Sequence, residues 1–187
     1  MSGPTTTYQI LKDTTEHAVI KLTGSFDGTG QESNGVRIQA NSLYGALDSS
    51  KANLLTSAAN TGPLPYYGLS VEKIWFEANF QGTGHARLYW TSGSAANTKT
   101  IIGISGQGVG TYNDNGNWIT IPNNAEGTAG CNGDIGITTF GANVANSTYN
   151  VIMELRKDNQ HYQRGQLNDP ASFNYPGSGS NNYGPRP

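Results

Sequence analysis

Alternating apolar and polar residues recur along the chain as far as Lys157, in runs of about five to twelve residues. A period of two is the signature of half-buried β-strands. In EHAVIKLTG (16–24), Ala18, Ile20 and Leu22 share one face, with His17, Val19 and Lys21 on the other. LSVEKIWFEANF (69–80) places Ile74, Phe76, Ala78 and Phe80 together, opposite Val71, Lys73, Trp75 and Glu77. HARLYWT (85–91) follows after QGTG, with Ala86, Leu88 and Trp90 on one side, and the short Gly-containing link predicts a β-hairpin. STYNVIMELRK (147–157) directs Tyr149, Val151, Met153 and Leu155 one way and Asn150, Ile152, Glu154 and Arg156 the other. Further strands are expected at 6–12, 36–40, 99–105, 112–122 and 133–141, whereas 41–55 is the only helical patch. About eight to nine short strands without βαβ alternation predict an all-β fold: a single antiparallel β-sandwich, jelly-roll-like.

The pattern stops at residue 158. The rest, NQHYQRGQLNDPASFNYPGSGSNNYGPRP (159–187), is rich in Pro and Gly yet carries Tyr162, Phe173, Tyr175 and Tyr183. The reading is therefore a β-sandwich domain over 1–158 and an extended C-terminal arm over 159–187. A linker needs no rings, so these four residues are candidate anchors on a neighbouring surface.

Composition narrows the function classes. Hydrophobic residues make up 35% and charged residues 13%, with 25 glycines, which favours strands and tight turns over charge-studded helices. The formal net charge is −2 with no block of one sign, so neither nucleic acid nor an anionic membrane is an expected partner. No apolar run is long enough to span a bilayer as a helix. MSGPTTTYQILKD lacks the basic and apolar regions of a secretion signal, giving the expectation of a cytosolic origin. The single cysteine, Cys131, leaves no partner for an intrachain disulfide or a multi-cysteine zinc site.

Candidate chemistry is sparse. His17, His85 and His161 stand in no metal-binding spacing. Glu72 and Glu77 fall on opposite faces of one strand. Asp114 and Asp134 sit in Asn/Gly loops that suit turns better than calcium, which would need more oxygen ligands. GISGQGVG (103–110) lacks the helix that would make it a phosphate loop and reads as a bend between strands. NST (146–148) matches a glycosylation acceptor, but reads as a strand start. No catalytic, metal or cofactor residue is assigned. The outward aromatics carry more: Trp75 with Val71, and Tyr89 beside Arg87, make the second sheet faces apolar. Either loops such as 41–66 cover them, or they form an intersubunit surface. Tyr66 and Tyr67 in PLPYYG would contact a partner, stack on a sugar, or pack on the core.

KDTTEHAVIKLTGSFDGTGQES, LSVEKIWFEANFQGTGHARLYW, GDIGITTFG and STYNVIMELRK together resemble a group of small virion structural proteins of tailed bacteriophages, especially marine ones. The resemblance runs from about residue 8 to 157, and leaves the arm and the two-proline stretch at 60–68 unmatched. It implies a non-enzymatic accessory protein, made in the bacterial host cytoplasm and placed on the particle. With the spaced rings of the arm, the expectation is a decoration (cement) protein on the capsid surface. It would bridge the major capsid protein and copies of itself, as a dimer or trimer. A tail or neck component that binds host glycans is the alternative. A carbohydrate-active enzyme or soluble lectin is a third reading, and would need a convergent carboxylate pair or bound calcium.

Overall fold

The computed structural model describes residues 5–33, 35–50, 52–54, 62–92, 97–113, 120–141 and 145–163. Among these residues ten strands form two antiparallel sheets: β1 (Thr5–Asp13), β2 (His17–Phe26), β3 (Gly35–Ile38), β4 (Leu69–Asn79), β5 (His85–Trp90), β6 (Lys99–Ser105), β7 (Gln107–Tyr112), β8 (Ile121–Pro122), β9 (Ile135–Phe140) and β10 (Ser147–Lys157). The larger sheet runs β1-β2-β10-β4-β7, with β8 also pairing β4; the smaller runs β3-β9-β5-β6. Consecutive strands therefore change sheet at β2–β3, β3–β4, β4–β5, β6–β7, β8–β9 and β9–β10.

The inner faces follow the alternation. Ala18, Ile20 and Leu22 of β2 and Tyr149, Val151, Met153 and Leu155 of β10 are all buried, opposite Ala86, Leu88 and Trp90 of β5 and Ile135 and Ile137 of β9. Burial of this apolar surface, at about 25 cal/mol per Å², is the main stabilising contribution.

Four expectations change. The segments 69–80 and 85–91 do not pair as a hairpin, because β4 belongs to one sheet and β5 to the other. QGTG is a corner between layers, held by Gly84 N–H donating to Gln81 O at 3.1 Å and Gln81 N–H donating to Ser147 Oγ at 3.1 Å. Residues 41–55 contain no α-helix where described. Ala40–Ser42 form one 3₁₀ turn, and the chain beyond makes isolated bridges at Ala46, Leu47 and Asp48. Asp48 explains the arrest, since its carboxylate accepts from the N–H groups of Ser50 and Ala52 and competes with helical bonding. The bend in GISGQGVG is one residue, Gly106 at φ +72°, and QGVG beyond it belongs to strand β7. Of the strand expected at 112–122, Tyr112 closes β7 and Ile121–Pro122 form β8, while 114–119 lie outside the described residues.

Three cross-strand pairs explain part of the glycine content. The rings of Tyr149, Phe76 and Tyr89 lie across their directly opposed partners Gly24, Gly110 and Gly136. A Cβ at Gly136 would meet Tyr89 Cζ at 2.6 Å. Gly136→Ala is expected to destabilise the chain by about 1–3 kcal/mol through overpacking. In a Tyr89→Ala background the same change is expected to cost much less. Equal costs in both backgrounds, by denaturant unfolding, would refute the steric account.

Candidate functional site

The one-residue register slip between β4 and β10 builds the site. Lys73 pairs Glu154 and Val71 pairs Leu155, so Glu72 is the extra residue of a β-bulge. Two consequences follow. Val71 turns inward and is fully buried, not outward beside Trp75 as strict alternation requires. Glu72 is re-aimed on the outer face toward the start of β2, where His17 Nε2 lies 3.3 Å from its carboxylate. His17 is fixed by the β1–β2 turn: its N–H donates to Thr14 Oγ1 and its carbonyl accepts from Thr14 N–H.

This pair opens into a cleft of about 640 Å³ that includes Glu16, Tyr66, Glu126, Arg156 and Asp158. Asp158 follows β10 and folds back over Gly68, where any Cβ would overlap its carboxylate. It accepts from the backbone N–H groups of Gln160 and His161 and pairs with His161 Nδ1 at 2.6 Å. The Tyr66 ring stands edge-on to His161, with centroids 5.3 Å apart at 89°. Burial, first, and then the negative charge of Glu126 and Asp158 push the Tyr66 hydroxyl well above the usual phenol range. The cleft thus offers a neutral phenol, carboxylates, a guanidinium and imidazole, which suits a small polar ligand better than an apolar one.

The aromatic candidates divide by placement. Tyr66 reaches the cleft. Tyr67, its neighbour, does not: it is buried and its hydroxyl donates to Leu47 O at 2.6 Å. Tyr162 is buried as well, its hydroxyl donating to Ala40 O at 2.8 Å and its ring 5.6 Å from that of Tyr67. Tyr89 is covered by its own sheet, across Gly136 and under the Arg87 guanidinium at 5.1 Å. As candidate contacts for a partner, Tyr67, Tyr89 and Tyr162 are therefore corrected to core and sheet packing. Trp75 stays partly exposed, with Lys73 Nζ at 5.9 Å from its ring. Phe173, Tyr175 and Tyr183 lie outside the described residues. The first five residues of the segment read as an arm are part of the packed body, since Leu47 N–H donates to His161 O and Gln163 N–H to Gly45 O.

Asp134 is engaged by turn chemistry: Oδ1 accepts from Ala40 N–H at 2.7 Å and Oδ2 from Asn132 Nδ2 at 2.8 Å. Asp114 lies outside the described residues. Among the described residues, no three His, Cys, Asp or Glu side chains cluster as metal ligands, and no helix is long and apolar enough to cross a membrane.

Two features were absent from the expectations. The bulge at Glu72 has no mark in SVEKIW. Lys157 did carry a signal, because continuing 149, 151, 153, 155 by two puts it inward. Its ammonium is indeed buried, donating to Asp13, to Thr14 O at 2.6 Å and to Tyr44 O at 2.8 Å.

Comparison with known proteins gives no match to a family model, to a curated protein or to a solved structure.

Proposed function

We propose that this chain is a non-enzymatic virion structural protein of a tailed bacteriophage. In this reading it is a decoration protein that binds the outer capsid shell and bridges neighbouring capsid subunits. Its partners would be the major capsid protein and further copies of itself. The observation that carries the reading is the grouping of exposed apolar side chains on strand edges and nearby turns: Tyr8, Ile10 and Leu11 on β1, Val36 on β3, and Tyr44. These are five of the seven large apolar side chains exposed among the described residues, the other two being Val109 on β7 and Phe140 on β9, and apolar surface left in water in this way is suited to association. The strand order supports the finer reading of a jelly roll, an architecture used in viral capsid and lectin domains. The resemblance of the strand phrases to virion proteins adds the setting.

A glycan-binding tail or neck component is the second reading. It is favoured by the cleft, where Tyr66 stands among carboxylates and an arginine. One experiment separates the two: labelled antibody against the chain, imaged on particles of the phage that encodes it. Label over the icosahedral shell is the expected result. Label confined to tails, with glycan-array binding that Tyr66→Ala abolishes, would replace the first reading by the second.

A further inference from the structure

β1 is the longest of the strands that end a sheet. The strand spans nine residues, Thr5–Asp13, and among the described residues pairs with β2 alone. Its register opposes Thr6 to Gly24, Tyr8 to Leu22 and Ile10 to Ile20, so these three side chains belong to the inner face of the larger sheet. Yet Tyr8 and Ile10 remain 43% and 37% exposed. The cause is the mismatch between layers: β3, the facing edge strand, has four residues, so β1 overhangs it. Between them lies a groove of about 290 Å³ whose walls include Tyr8, Val36 and Gln39.

Edge strands normally carry features that block pairing, such as inward charges or proline. TTTYQIL (5–11) has neither; the first charge is Lys12, just past a bulge at Leu11. We propose that this edge is the contact between two copies of the chain, joined by antiparallel β1–β1 pairing about a two-fold axis near Tyr8 or Gln9. Symmetry selects a copy as the occupant. When such an axis stands perpendicular to the sheet, opposed residues share parity, so Tyr8 and Ile10 of both chains fall on the same inner face. Each overhang then covers the other, and no like charges oppose one another across the uncharged segment. Size agrees: nine residues extend about 30 Å and the two layers are about 10 Å apart. With side chains, the flank offers roughly 600 Å² per copy, at the lower end of stable interfaces. The two five-strand paths would merge into one continuous sheet.

This deepens the assembly reading and rests on it for a copy as partner; the test needs no shell, so failure of shell binding and failure of pairing are separate results. Sedimentation of the full chain at micromolar concentration is expected to show a dimer. Tyr8→Lys with Ile10→Lys, and Tyr8→Glu with Ile10→Glu, are each expected to give monomers, because like charges then meet in the joint. Mixing the two variants is expected to restore a dimer containing one copy of each. A monomeric wild-type chain, or an oligomer that the variants leave intact, would overturn the proposal. Should a variant misfold, amide exchange of residues 5–10 in the wild-type chain decides: it slows as concentration rises if β1 pairs, and unchanged exchange refutes it.

Discussion

Tyr162→Ala is expected to destabilise the isolated chain by about 3–5 kcal/mol, the usual loss for truncating a buried aromatic side chain. A domain of this size has roughly 5–15 kcal/mol of net stability, so the change would remove a large part of it. Tyr162 is 1% exposed; its ring packs against Tyr67 and lies 5.2 Å from the Lys157 ammonium, and its hydroxyl donates to Ala40 O. Tyr162→Phe retains the ring contacts and deletes only the hydrogen bond, so about 1 kcal/mol is expected. Denaturant unfolding of the two variants checks both values. An anchor for a partner would behave differently, since its loss would leave the free chain's midpoint unchanged; that outcome would sink the core assignment. The consequence for dissecting the arm is direct. A deletion beginning at residue 159 also removes Tyr162, so loss of particle binding would report unfolding. A chain ending at Gln163 is the variant that tests the rings beyond it.

The sandwich was legible because β2 and β10 alternate without interruption and meet an opposing sheet along their length. Period-two reading fails wherever one residue is inserted. At Glu72 a single bulge exchanged Val71 from the outer to the inner face, and the cleft depends on that exchange. It fails again where an inward strand face has nothing opposite it, as for Tyr8 and Ile10 on β1, whose exposure depends on the length of β3. The partner of a strand is also non-local information. Nothing in QGTG distinguishes a hairpin from a corner between sheets, because both need a tight Gly turn. Tyr66 and Tyr67 show the limit for sites: adjacent identical residues, one in the cleft and one in the core, are separated only by which side of the loop the body occupies. His161 stands behind the cleft-lining Tyr66 and Asp158 for a similar reason, held there by chain contacts more than a hundred residues apart in sequence.

Raising the pH above about 10, the ordinary phenol value, is expected to unfold the chain through two buried tyrosines. Tyr149 is 3% exposed and donates to Glu32 Oε2 at 2.6 Å, and Tyr162 donates to Ala40 O at 2.8 Å. Burial, first, pushes both hydroxyls far above the usual range, helped at Tyr149 by the charge of Glu32 and at Tyr162 by Asp158. The unfolded chain therefore releases these protons at a lower pH than the folded chain does. The folded state holds more protons in that window, so stability is fully present below about pH 10 and falls as pH rises toward the folded values. Each group contributes a loss of about 1.4 kcal/mol per pH unit, so the pair removes roughly 5 kcal/mol by about pH 12. Lys157 acts in the opposite sense. Burial lowers its pKa, so the folded state carries fewer protons there and stability gains as pH rises to the ordinary lysine value, after which the gain stops. Beyond that point the tyrosines act unopposed. Tyr149→Phe is expected to be less stable at neutral pH, since Glu32 Oε2 loses its donor, and to fall less steeply above about pH 10. Melting curves from pH 7 to 12, with tyrosinate absorbance followed in parallel, test the scheme. Identical alkaline slopes for wild type and Tyr149→Phe would exclude Tyr149 as a source of the transition.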